Sequence, residues 1–259
     1  MVPRKSRPYT GGDFFLEDYM KEAIQEFNKY VKKYDLKNKN IMRKYHHSFR
    51  VMEFSKEIAM SLNFNQEEIY IASLCGLLHD IARFEQWTQY QTYIDAKSFD
   101  HGDYGAIILN NGEFIKNFVQ NDEIISIIID STKYHNKATV PVLEKNHQLF
   151  VNIVRDADKL DIITEQGNSI NVDKIELKTE LLNSIYNEQI CRNEYVENEV
   201  DSIVRMISWV YDFNFKYSYD YLVNKKIIEN KFNLLEMYGE TEDITKLKKW
   251  IMKKINEMR

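Results

Sequence analysis

The sequence predicts an all-α fold, and three observations lead there. Turn formers are scarce: 259 residues carry eight glycines and three prolines, and no proline follows Pro141. Folds rich in β-turns need such residues at every corner. Apolar residues recur at intervals of three and four along most of the chain, the spacing of one helix face. Asn and Asp, the residues that cap helix starts, stand ahead of several of these runs.

Residues 1–12 hold basic residues, two prolines and Gly11-Gly12, and are expected to form a flexible arm. No apolar h-region follows, so no signal peptide is expected. A helix is predicted from Asp13 to about Tyr34, with Phe14, Met20, Ile24, Phe27 and Val31 facing inward. A second is predicted over Ile41 to Leu62. A third follows Asn65, whose pairing with Glu68 reads as a capping box, and is expected to reach about Phe84. Residues 85–99 are aromatic and glutamine-rich with weak periodicity, and read as a loop with short helical turns. Further helices are predicted from Asp100 to Asn110, from Asn121 or Asp122 to His135-Asn136, and from an Asn146 cap to Ile163. Residues 167–175 read as a connection. Helices over 176–190, 194–222, 223–236 and 242–257 complete the chain. The expected organisation is an arm over 1–12, a helical core over 13–165 and a C-terminal helical extension of the same domain over 166–259.

Composition narrows the class. Apolar residues make up 44% and charged residues 29%, the balance of a soluble globular protein, and the length suffices for one sizeable core. The net charge of −5, with an isoelectric point near 5.8, supplies no global field towards nucleic acid or anionic membrane. A local basic pocket for phosphate stays open. Two cysteines, Cys75 and Cys191, give no disulfide framework, which agrees with a cytoplasmic location. No apolar run has the length of a membrane span.

Five of the six histidines fall in an ordered series: His46/His47, the His79-Asp80 pair, His101 and His135. Imidazole and carboxylate are ligands of divalent metals such as Zn, Mn and Fe. Periodicity separates the first pair. From His47, positions 51, 54, 58 and 62 are Val, Phe, Ile and Leu, whereas from His46, positions 50, 53 and 57 are Arg, Glu and Glu. His47 therefore faces inward and His46 outward. His79-Asp80 ends the apolar run Ala72 to Leu78, where a buried carboxylate needs a compensating cation or donors. His101 begins one helix and His135 ends another. The series closes on Asp156-Ala157-Asp158-Lys159-Leu160-Asp161, and helical geometry alone does not choose between Asp156 and Asp158.

Taken together, His47-Ser48-x-Arg50-Val51, Leu78-His79-Asp80-Ile81 and Ala157-Asp158-Lys159-Leu160-Asp161 resemble the HD-domain metal-dependent phosphohydrolase superfamily over residues 40–165. The resemblance implies a helical bundle of about five helices, with the C-terminal helices packed on it. It implies metal ligands His47, His79, Asp80 and Asp158, the family's Ala-Asp-x-Leu pattern selecting Asp158. His101 and His135 match two further histidines of binuclear members, which would hold a second metal with Asp80 bridging. In single-metal relatives similar residues act as acid–base or phosphate-contacting groups. The Gly-Tyr-Pro element of the cyclic-dinucleotide-hydrolysing branch is absent from the sequence.

The expected function is hydrolysis of a phosphoester or phosphoanhydride, in a nucleotide substrate, by attack of a metal-activated water. One or two divalent metals are implied, with Mn, Fe, Mg, Co, Ni and Zn not distinguished. Asp80, His101, His135 and Lys159 are the candidate catalytic groups. Lys159 is similar in place to a phosphate-contacting lysine of nucleotide-hydrolysing relatives. Arg83, four residues beyond His79, is a second candidate substrate contact, because guanidinium suits bidentate phosphate binding; for both cations a salt bridge to Glu85 or the Asp cluster is the equal alternative. Gln86, Gln89, Tyr90 and Tyr93 lie where a substrate-covering loop would fit. Two alternatives use the same ligands: a mixed-valent di-iron oxygenase, and a non-catalytic nucleotide-binding module. A phosphorylated small molecule is the expected partner; no membrane or nucleic acid partner is indicated, and a homo-oligomer is open. The aromatic run Ser208 to Tyr221 reads as core packing first, with a pocket wall or a dimer interface as the alternatives the sequence leaves open, and Lys246 to Arg259 reads as a surface amphipathic helix.

Overall fold

A computed structural model of the chain describes residues 13–111, 114–171, 176–239 and 241–259. The expected arm over 1–12, the side chain of Phe14 and residues 172–175 of the expected connection lie outside the described residues. Every regular element among the described residues is helical, and none is a strand. The chain divides into two compact units, Met1–Asp158 and Lys159–Arg259.

The first unit is built on α1 (Asp13–Val31), α2 (Lys39–Ser61), α3 (Gln66–Leu78), α4 (Arg83–Tyr90), α5 (His101–Asn110), α6 (Asp122–Tyr134) and the greater part of α7 (Lys145–Glu165). At its centre is α3, which is buried without interruption from Ile69 to Leu78. It packs on α1, α2 and α6, and a helix apolar all round needs such enclosure. Gly76 makes the approach of α2 possible. A Cβ at that position would stand 2.8 Å from the Val51 carbonyl oxygen and 2.9 Å from the Met52 Cα. The starts of these helices are set by side-chain caps. Asn38 accepts from the Asn40 and Ile41 amides, Asn65 and Glu68 form a reciprocal capping box, and Asp100 accepts from the Asp103 amide. Asn121 accepts from Glu123 and Ile124. Each cap satisfies amides that have no partner within the helix.

Three expectations are corrected. The third helix does not run to Phe84: α3 ends at Leu78, and α4 begins at Arg83. The His79 ring Nδ1 donates to the Gly76 carbonyl at 2.7 Å, and i+3 backbone bonds from Ile81 to Leu78 and Arg83 to Asp80 tighten the chain between the helices. No glycine or proline marks this break; a side chain taking up a helix carbonyl does. Asn146 is not a cap, because α7 already begins at Lys145. The third correction falls in the second unit.

That unit contains α8 (Thr179–Tyr186), α9 (Glu199–Ser208), α10 (Lys216–Asn224), α11 (Ile227–Glu236) and α12 (Glu242–Met258). The single helix expected over 194–222 is divided into α9, a short 3-10 turn at Trp209–Tyr211, and α10. The Tyr219 hydroxyl lies 3.0 Å from the carbonyl oxygens of both Val210 and Phe213 and shares its one hydrogen between them, serving backbone left open by the break. Trp209, Val210, Phe213 and Tyr219 are buried, while Tyr211, Phe215, Tyr217 and Tyr221 are half-buried, so only part of this aromatic run is core. Along α12, Ile244, Leu247, Ile251 and Ile255 form the buried stripe. Among the described residues no helix is long and apolar enough to cross a membrane.

Candidate metal centre

Five elements of the first unit bring the predicted ligands together. α2 carries His47 on the face it shares with buried Val51 and Ile58, while His46 is exposed. The break after α3 presents His79 and Asp80. α5 opens on His101, His135 follows the last residue of α6, and α7 carries Asp158. His47, His79, Asp80, His101 and His135 are all buried.

The arrangement has two halves around one carboxylate. Asp80 Oδ2 lies 3.3 Å from His47 Nε2 and 3.5 Å from His79 Nε2. Its other oxygen, Oδ1, lies 3.5 Å from His101 Nε2 and 3.7 Å from His135 Nε2. Asp158 Oδ1 joins the first half, 3.1 Å from His47 Nε2 and 3.8 Å from His79 Nε2. Asp156 is fully buried in the same helix.

Tautomers follow from the acceptors on the far side of each ring. His79 Nδ1 faces the Gly76 carbonyl at 2.7 Å, and His135 Nδ1 faces the Thr132 carbonyl at 2.7 Å. His101 Nδ1 faces Asp95 Oδ2 at 2.6 Å. Carbonyl and carboxylate oxygens only accept, so each Nδ1 carries the hydrogen and each neutral ring presents a bare Nε2 lone pair. Burial lowers the pKa of His79, and takes that of His101 down to about 4, which keeps both neutral at ordinary pH. His101 Nε2 and His135 Nε2 face one another at 3.0 Å. His47 Nε2 approaches His79 Nε2 to 3.2 Å. Crowded lone pairs beside a carboxylate are stable where a cation is shared among them. Four imidazoles and two carboxylates suit borderline divalent metals, so the donor set fits such an ion. The groups His47/His79/Asp80, His79/His135/Asp158 and Asp80/His101/His135 each bring ligand atoms close enough to hold one.

Burial alone would raise the Asp80 carboxyl, yet Lys44 and His79 hold it well below the usual carboxylate range. Lys44 is the largest of these opposing influences, with Nζ 2.6 Å from Asp80 Oδ2. For Asp158 too, burial opposes ionisation, and His47 and His79 outweigh it.

Residues 45–163 match the family model of the HD domain. That stretch is an HD domain, its motif histidines and aspartates gathered in one buried cluster. No curated protein and no solved structure matches the chain at a significant level. Within the HD domain, the sequence series from His47 to Asp158 becomes a single locus, and the sixth histidine, His147, stands apart in a pair with Asp130 at 2.6 Å.

The two predicted substrate cations have protein partners. Arg83 directs Nε to Asp80 Oδ1 at 3.4 Å and Nη1 to the Gln86 side chain, the Tyr93 carbonyl and Asp95. Lys159 pairs with Asp212 at 2.7 Å within the second unit. Gln86 is fully buried, its amide reaching Asp95, Ser98 and the Phe99 carbonyl, so it braces the segment after α4. Tyr93 donates to the Asn40 carbonyl at 2.9 Å, and its ring lies against Arg43, Lys44 and Arg83.

Sequence reasoning missed Lys44, Asp95 and Arg155. Lys44 had a signal: it lies three residues before His47, on the stripe that continues to Val51. Asp95 had none, since its role comes from a contact with His101 across an aperiodic segment. Arg155 sat within the acidic cluster, where a salt bridge was the obvious reading. Its Nη1 lies within hydrogen-bond distance of the carbonyls of Tyr134, His135 and Lys137.

Proposed function

We propose that the protein is a metal-dependent phosphohydrolase that cleaves a phosphoester or phosphoanhydride bond in a nucleotide, using two divalent metals. The observation that carries this reading is the division of the Asp80 carboxylate, one oxygen towards His47 and His79 and the other towards His101 and His135. A carboxylate so placed is suited to bridge. His47, His79, Asp80 and Asp158 would hold one ion, and His101, His135 and Asp80 the other. Ions bound there supply Lewis acidity, lowering the pKa of a water towards neutrality and offsetting charge on phosphoryl oxygens.

The chain's own groups prepare that chemistry. Lys44 keeps Asp80 ionised, so the carboxylate is available as a ligand without a proton to expel. The carbonyls of Gly76 and Thr132, with Asp95, keep the Nδ1 hydrogens of three histidines outside the cluster and their Nε2 atoms inside. Lys159 and Arg83 are the proposed substrate contacts. Both would exchange protein partners, Asp212 and the Asp95 network, for phosphate.

Hydrolysis of a panel of nucleotides, dinucleoside polyphosphates and simple phosphoesters with Mn, Co, Mg or Fe, beside elemental analysis of the same sample, tests the proposal. Phosphate release that needs the metal and is lost in the His79→Ala/Asp80→Ala double variant supports it. Undiminished turnover in that variant overturns it. The histidine-rich donor set also suits iron, which favours an oxygenase as the second reading. Oxygen consumption by an iron-loaded sample, with no phosphate release under any metal, would select that reading. A tight nucleotide complex without turnover would select a binding module.

A further inference from the structure

Asp95 lies in a 3-10 turn within the aperiodic segment between α4 and α5, yet four side chains from three different elements converge on it. His101 Nδ1 donates to Oδ2 at 2.6 Å, the shortest of the contacts. Asn136, just beyond α6, reaches the same oxygen at 3.3 Å. Arg83 Nη1 and Gln86 Nε2, both from α4, donate to Oδ1 at 3.0 and 2.9 Å. Asp95, Asp100 and His101 are themselves close enough to hold a cation. Their oxygens are already taken: Asp100 accepts from the Asp103 amide and Asn136 and pairs with Lys137 at 2.7 Å. The group therefore supports the centre instead of adding an ion to it.

We infer that Asp95 is a positioning residue, which fixes the His101 ring with Nε2 facing Asp80 and His135 and thereby couples metal binding at that half of the centre to the order of residues 91–99. The inference rests on reading His101 as a metal ligand. The physics of the coupling is short. A neutral imidazole without a partner divides its hydrogen between two nitrogens and rotates about χ2. A carboxylate at 2.6 Å from Nδ1 selects one tautomer and one ring plane. A cation drawn to Nε2 withdraws electron density from the ring and strengthens the Nδ1–H bond to Asp95. The same carboxylate is the hub through which Arg83 and Gln86 anchor the segment. Linkage then requires that whatever tightens one contact also stabilises the other.

The test uses the full-length protein and zinc alone as the probe. Nitrogen-15 correlation spectra of the imidazoles, recorded without metal, should show His101 as the Nδ1–H tautomer in the wild type and as a mixture in Asp95→Ala. In zinc titrations, the binding step lost in His101→Ala should weaken 10–100-fold in Asp95→Ala, while the other step stays within about twofold. Hydrogen exchange over 91–99 should slow on zinc addition in the wild type and not in Asp95→Ala. Asp95→Asn keeps an oxygen able to accept from His101 and should fall between the two. Asp103→Asn removes a neighbouring carboxylate without touching His101 and should match the wild type. An unchanged tautomer and an unchanged zinc isotherm in Asp95→Ala overturn the inference. If His101→Ala itself loses no zinc, the ligand assignment and the inference fall together. If His101→Ala loses zinc and Asp95→Ala does not, the inference alone falls.

Discussion

Arg155 Nη1 donates to the carbonyl oxygen of His135 at 3.2 Å, tying the helix that bears Asp158 to the helix end that bears a facing histidine. The same guanidinium nitrogen reaches the carbonyls of Tyr134 and Lys137, so a cation sits where the dipole of α6 is negative. Replacing Arg155 with Leu would remove the side-chain donor from the buried His135 carbonyl. The expected loss is about 2 kcal/mol of stability, read as a lower urea midpoint. Arg155→Lys keeps a cation at the end of α6 and should recover part of it. Equal stability of Arg155→Leu and the wild type would contradict the assignment.

Gly102 marks the closest approach of α5 to α6. A Cβ there would stand 2.5 Å from Asn136 Oδ1 and 2.7 Å from the Lys133 carbonyl oxygen. Backbone cannot yield as a side chain can, so Gly102→Ala should push the helices apart and cost about 1–3 kcal/mol. It should also weaken metal binding that depends on His101 and His135. At Gly105 the nearest contact is the Thr132 Cγ2 methyl, at 2.7 Å, with the next atom at 3.6 Å. Gly105→Ala should therefore cost less. Thermal melts of the two variants, beside metal titrations, check the order.

If the cluster holds metal as proposed, removing it should destabilise the protein as well as abolish the proposed hydrolysis. With four imidazoles and two carboxylates facing one another, bound ions offset repulsion that the chain alone must otherwise carry. Stabilisation by an ion present at a thousand times its dissociation constant is about 4 kcal/mol. A chelator should lower Tm, and divalent metal should restore it. The His79→Ala/Asp80→Ala variant should show neither response.

In the second unit Lys231 offers a pH test. It is buried, and its ammonium donates to the Gln166 carbonyl, to the Gly167 carbonyl at 3.1 Å and to Asn168 Oδ1 at 2.6 Å. Burial lowers its pKa to about 8. Between that value and the ordinary lysine pKa of roughly 10.4, the unfolded chain binds more protons than the folded one, so this group's contribution to stability rises with pH. The difference in unfolding free energy between wild type and Lys231→Met should therefore move in favour of the wild type from pH 8 to pH 10. Urea midpoints at the two values measure it, and a difference that moves the other way contradicts the sign.

Much of the first unit was legible because its determinants are local. Asn65, Asp100 and Asn121 lie in sequence beside the amides they cap, and the apolar stripe of α2 orients His47 without help from any other helix. The break after α3 was not legible. It depends on His79 donating to a carbonyl three residues back, and the surrounding apolar run hides that choice. The division between α9 and α10 is concealed in the same way, since Tyr219 returns to carbonyls that the sequence pattern assigns to a continuous helix. Asp95 lies at the far end of that scale: its partners come from α4, α5 and Asn136 beyond α6, and no periodicity records such a meeting.

The placement of one carboxylate between two histidine pairs also shapes which variants of this protein are reachable. Substitutions at His47 or His135 each begin from one half and leave the other half's donors standing, so damage there is graded. Asp80 allows no such gradation, because both of its oxygens are committed. In a saturation scan, tolerance should therefore taper across the histidines and vanish at Asp80, which makes that position a single point of failure for the entire cluster.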